Sequence, residues 1–68
     1  MDNQTIDDFL IEIKITEYER RGIIVDRKEK VIDGKNYLII KTKTGGELKY
    51  KEIIPSPLIY VRWWEKVN

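Results

Sequence analysis

The stretch Lys35 to Ile54, KNYLIIKTKTGGELKYKEII, constrains this chain most, because two runs rich in β-branched and aromatic residues flank a Gly-Gly pair. It reads as a β-hairpin. Strand side chains alternate between faces, so loop length decides which residues are buried together. A two-residue Gly45-Gly46 loop sets Lys43 opposite Leu48 and Lys41 opposite Tyr50, which mixes lysines into the apolar side. A three-residue loop of Thr44, Gly45 and Gly46, with one glycine left-handed, instead puts Leu38, Ile40 and Thr42 on one face with Leu48 and Tyr50. The other face then carries Tyr37, Ile39, Lys41, Lys43, Glu47, Lys49 and Lys51. In this register Lys43 meets Glu47, but Lys41 meets Lys49, a like-charge pair costing ~0.2 to 1 kcal/mol. That face must be wet or must meet an anion.

A chain of 68 residues makes one domain and buries only about 60% of the surface its unfolded form exposes. It has no cysteine and no histidine, so neither a disulfide framework nor the usual zinc ligand sets are available, and no cofactor is implied. No apolar run approaches a membrane span, and the start MDNQTIDD lacks the features of a signal peptide. A cytoplasmic protein without a membrane partner is expected. Twelve isoleucines and nine lysines without one alanine point to an AT-rich genome, as in many bacteria, archaea, phages and mobile elements. The net charge of +1 hides an asymmetry: residues 1–19 hold six acids against one lysine, and residues 20–68 carry +6. The small total argues against an indiscriminate polyanion coat, while the split allows a local basic surface.

Along the chain, residues 1–8 are polar and expected to fray. The segment FLIEIKIT, Phe9 to Thr16, has helix signals in Thr5, Asp7, Asp8 and the terminator Gly22, yet its apolar residues fall all round such a helix. As a strand, Phe9, Ile11, Ile13 and Ile15 share one face, and this alternation favours strand, with room for a short helical turn before it. Tyr18 to Arg21 reads as a polar bend. Ile23, Ile24 and Val25 form a second strand, and the charged DRKEK of residues 26–30 projects into water. Asp33-Gly34 is a hairpin turn, but no single register joins it to Val25 opposite Leu38 and Ile40, so a bulge or a longer loop must intervene. Pro55, Ser56 and Pro57 form a corner, and LIYVRWWE, Leu58 to Glu65, resumes extended structure.

This succession of a strand, a turn, GIIV, DGKNYLII, GGELKY and IIPSPLIYV resembles the small five-stranded SH3-like barrels of the Tudor and KOW type over residues 9–65. The resemblance implies an all-β barrel with a short 3₁₀ turn before its last strand. It lies in strand order and turn placement, and no methyl-lysine cage maps onto particular positions.

Catalysis finds no support in the residue pattern. Asp7, Asp8, Glu12, Glu17 and Glu19 match no metal or acid–base spacing, Ser56 has no histidine to activate it, and Gly45-Gly46 lacks the continuation of a phosphate loop. Two surfaces remain. On the last strand parity separates the tryptophans: uncharged Ile59 and Val61 draw Trp63 inward, leaving Trp64 outside with Tyr60 and Arg62, a group of the kind found at protein-binding hot spots. This protein-binding reading, with Tyr60, Arg62 and Trp64 as the site of a small adaptor, comes first. Cover of Trp64 by the acidic N-terminal segment, or by a second subunit in a homodimer, would equally explain that face. The alternative is nucleic-acid binding by the hairpin's lysine face, where Lys41, Lys43, Lys49 and Lys51 contact phosphates and Tyr37 offers a ring to bases. A merely solvated face explains the same lysines.

Overall fold

Asp33 and Gly34 both take left-handed backbone, with φ of 51° and 75°, the conformation that lets a two-residue turn follow the natural twist of its strands. In the computed structural model, which describes residues 6–67, this turn joins β2 (Ile24–Ile32) to β3 (Lys35–Thr42). Ile24 pairs with Thr42 and Asp26 with Lys41, so Val25 is the extra residue of a β-bulge and is left largely in water. Of the bulge and the longer loop that the sequence leaves open, it is the bulge that forms, and it allows the simple turn. DRKEK lies within β2, whose residues from Lys28 onward are exposed because it is an edge strand.

The central hairpin has the expected faces but different partners. Leu38 stands opposite Tyr50 and Ile40 opposite Leu48, joining β3 to β4 (Glu47–Glu52), and Lys41 meets Glu47. The three-residue loop is thus Lys43, Thr44 and Gly45, one position earlier than expected. Thr42 closes it through two backbone bonds, its N–H donating to the Gly46 carbonyl at 2.9 Å and its carbonyl accepting from the Gly45 N–H at 2.9 Å, and Gly45 is the left-handed residue at φ 93°. The shift removes the like-charge pair, since Lys49 now faces Ile39. The two registers bury the same faces and differ in their cross-strand charge pairs, Lys41 with Glu47 replacing Lys43 with Glu47 and no lysine facing another.

The N-terminal segment changes state after three strand residues. β1 is only Phe9–Ile11, and α1 runs from Glu12 to Arg20. The expected strand over Glu12 to Thr16 is therefore a helix, and Tyr18 to Arg20 are its last turn. A helix answers the packing problem by choosing its apolar residues: Ile15 and Tyr18, three apart, are buried, while Ile13 stays in water. Gly22, at φ 78°, ends it in a Schellman motif, with Ile23 N–H bonded to the Tyr18 carbonyl and Gly22 N–H to the Glu19 carbonyl. Thr5 lies outside the described residues, as do positions 1–4 of the expected frayed end. Ile6 departs from that expectation, being buried in the core, and the Asp7 carbonyl accepts a 2.7 Å bond from the Tyr50 phenol.

β5 (Trp63–Val67) completes one antiparallel sheet in the order β1-β5-β4-β3-β2. The order has two ends, β1 and β2, and α1 packs against both. The chain is all-β with one helix on one face. That face holds the core of Ile6, Leu10, Ile15, Tyr18, Ile24, Leu38, Ile40, Tyr50 and Trp64. Burial, followed by the charges of Asp8 and Asp7, pushes the Tyr50 phenol well above its ordinary range. No helix among the described residues is long and apolar enough to cross a membrane.

Candidate functional site

Strand parity fails before β5 because residues 58–62 are not in a strand. Leu58 begins a turn closed by the Val61 N–H on the Leu58 carbonyl, where extended structure is expected; this i to i+3 bond is a single turn of 3₁₀ type before the last strand, placed after Pro57 and not continued into a helix. The Ser56 hydroxyl holds this loop, its single proton within reach of both the Leu58 and the Val61 carbonyl and its oxygen accepting from the Leu58 N–H. Only from Trp63 does alternation apply, and there Trp64 shares a face with Leu10 and the core.

The expected assignment of the tryptophans is consequently reversed. Trp64 is 1% exposed and Trp63 only half-buried. Arg62 does not carry an unpaired charge inward, because it sits at the rim and binds two carboxylates: Glu52 through Nε at 2.9 Å and Nη2 at 3.0 Å, and Glu29 through both Nη atoms at 3.2 Å. Its guanidinium also lies 4.7 Å from the Trp64 ring centroid. The hydrogen bond from Arg62 holds the Glu52 carboxyl below its usual range, with a second contribution from Asn36 Nδ2 at 2.8 Å, and Glu52 in return holds the guanidinium charged. Of the expected trio, Trp64 is core and Arg62 is a structural clamp. Tyr60 alone is free, 95% exposed beside Ile59 at 86%.

The second surface survives and grows. On the sheet face opposite α1, one row runs across all five strands as Lys30, Tyr37, Lys51, Glu65 and Phe9. The next row is Lys28, Ile39, Lys49 and Val67. Lys41 stands between Asp26 and Glu47 and is the most compensated, and Lys35 closes the face at the Asp-Gly turn. Lys43 sits in the hairpin loop, exposed and outside these rows. Tyr37 is half-buried, with the Lys49 ammonium 5.0 Å from its ring centroid. A shallow depression of about 250 Å³ lies among Lys28, Lys30, Ile32, Ile39, Glu47 and Lys49.

Lys28, Lys30 and Lys35 were not among the sequence candidates. DRKEK, expected only to project into water, carries the signal in its alternation: Asp26, Lys28, Lys30 and Ile32 alternate with Arg27, Glu29 and Val31, which separates the lysines from the rest. Arg27 and Glu29 turn to the α1 side. There Arg27 binds Glu12 at 2.8 Å and Glu19 at 3.2 Å, tying the helix to β2.

The carboxylates that bind Arg27 and Arg62 lie on the α1 side, whereas Asp26, Glu47 and Glu65 share the face of the lysines. Among the described residues none of Lys28, Lys30, Lys35, Lys41, Lys49 and Lys51 has a carboxylate oxygen within 4.0 Å, whereas Arg27 and Arg62 each have two carboxylates. Among the described residues no three carboxylates converge as metal ligands would. Comparison with known proteins adds no relative: no family model, no curated protein and no solved structure matches this chain.

Proposed function

We propose that the protein is a non-catalytic cytoplasmic module that binds nucleic acid through the helix-free face of its sheet. The observation that carries this reading is the set of lysines on β2, β3 and β4 that among the described residues have no carboxylate oxygen within 4.0 Å, although Asp26, Glu47 and Glu65 share their face, while the acids that neutralise Arg27 and Arg62 lie on the opposite one. Lysines held at strand spacing on a rigid sheet are suited to a phosphate backbone, whose binding releases condensed counterions. The charge balance supports it too, since the acidic N-terminal segment serves α1 and leaves the hairpins basic.

The test is a titration of labelled oligonucleotides at several salt concentrations. Affinity should fall steeply with salt, and the double variant Lys49→Gln/Lys51→Gln should reduce the slope of log K against log salt by about two, one per phosphate contact. No binding by the intact protein at low salt would end this reading. That outcome favours the second one, in which a protein partner docks on the β4–β5 loop through Tyr60 and Ile59, the most exposed large apolar side chains.

A further inference from the structure

The arrangement of charge around Tyr37 is more specific than a basic surface. Tyr37 has Lys30 directly across from it on one side and Lys51 on the other, and Lys49 reaches diagonally over its ring. Directly opposed residues on a sheet have Cβ atoms about 4.5 to 5.5 Å apart, so the side chains of Lys30 and Lys51 start on either side of the ring that the Lys49 ammonium lies over. From this geometry, and resting on the nucleic-acid reading above, we infer that the ligand is single-stranded, with one unpaired base stacked on Tyr37 and its flanking phosphates held by Lys30, Lys49 and Lys51.

A duplex hides the faces of its bases in the stack, and a ring lying in a sheet face cannot reach them. A single strand presents both its base faces and its backbone, which is the combination of groups this face matches. Lys49 gives the free protein a resting state. Its ammonium occupies the ring by a cation–π contact, and binding exchanges that contact for a phosphate on the lysine and a base on the ring. The lysines of these rows, Lys28 to Lys51, lie on only three strands, β2, β3 and β4, spaced about 4.8 Å apart. The footprint is therefore short, near the lower end of the ~4 to 16 nucleotides that small sheet-based modules cover.

The experiment uses the full chain and three fluorescein-labelled probes of about 12 nucleotides: oligothymidine, a duplex of equal length, and an oligomer of abasic residues with the same phosphates. Oligothymidine should bind more tightly than the other two. The margin over the abasic strand should be about 5- to 150-fold, corresponding to one base–aromatic stack of ~1 to 3 kcal/mol. Tyr37→Phe should keep that margin and Tyr37→Leu, which retains an apolar side chain on the sheet, should lose it. Because the probe comparison needs only the unmutated protein, a folding defect in a variant cannot obscure it. Equal affinity for the abasic strand, or a duplex bound as tightly as oligothymidine, overturns the inference while leaving salt-dependent nucleic-acid binding in place. Absence of binding to all three removes both.

Discussion

Trp63 and Trp64 are adjacent in the chain and occupy opposite faces of β5, one against Ile11 and the other beside Leu10 within the core. Trp64 is almost fully buried, so Trp64→Ala removes a large apolar surface and opens a cavity, at a cost of ~3 to 5 kcal/mol. For a domain of this size that is a large part of its total stability. Trp63 is half-buried, and no group among the described residues accepts a hydrogen bond from its buried indole N–H. Trp63→Phe keeps a ring against Ile11 without that donor and should leave the melting temperature near that of the unmutated protein. Iodide quenching separates the two directly: Trp63→Phe, which retains Trp64, should be shielded, and Trp64→Phe, which retains Trp63, should be quenched more readily. Equal quenching contradicts the assignment.

Between β1 and α1 the chain passes from a period of two to a period of 3.6 within one apolar run. The alternation of Phe9, Ile11, Ile13 and Ile15 is real, but β1 pairs only with β5 and only through Ile11. Beyond it there is no partner strand to receive the backbone hydrogen bonds, and a helix satisfies them internally. Ile13 and Ile15 distinguish the alternatives, because a strand would put them on one face with similar burial. With α1 formed, Ile15→Ala should cost ~2 to 5 kcal/mol, and Ile13→Ala should fall within about 0.5 kcal/mol of neutral. Chemical denaturation of both variants measures the difference, and comparable losses would restore the strand. The hairpins behaved differently: Asp33-Gly34 and the glycines after Thr44 place turns whose chemistry is local, so their existence was legible and only the partner register was not.

The Arg62 clamp joins distant parts of the molecule, linking the end of the β4–β5 loop to Glu52 on β4 and Glu29 on β2. It also sets the response to acid. Because Arg62 lowers the folded-state value of Glu52 beneath its unfolded value of about 4.5, Glu52 contributes stability that is fully present above that pH. The contribution is lost as pH falls through the lower folded value. Melting curves between about pH 6 and pH 3 should therefore show a larger fall for the unmutated protein than for Glu52→Gln, which has no such proton to gain. Parallel falls would mean that Glu52 is not coupled to folding. Residue order alone determined the local decisions here: two hairpin turns, a break in simple register between Val25 and the Asp-Gly turn, the apolar face of the central hairpin, and Tyr37, Lys41, Lys49 and Lys51 on its reverse. These follow from the backbone freedom of glycine and the two-residue period of a strand, which act over a few positions. Tertiary structure decided which tryptophan is buried, where α1 begins, that Lys28 and Lys30 join the hairpin lysines, and that Arg62 is held by two acids. Each of those outcomes depends on a partner 10 to 33 residues or more away in the chain, and burial and ion pairing are properties of the partner as much as of the residue itself.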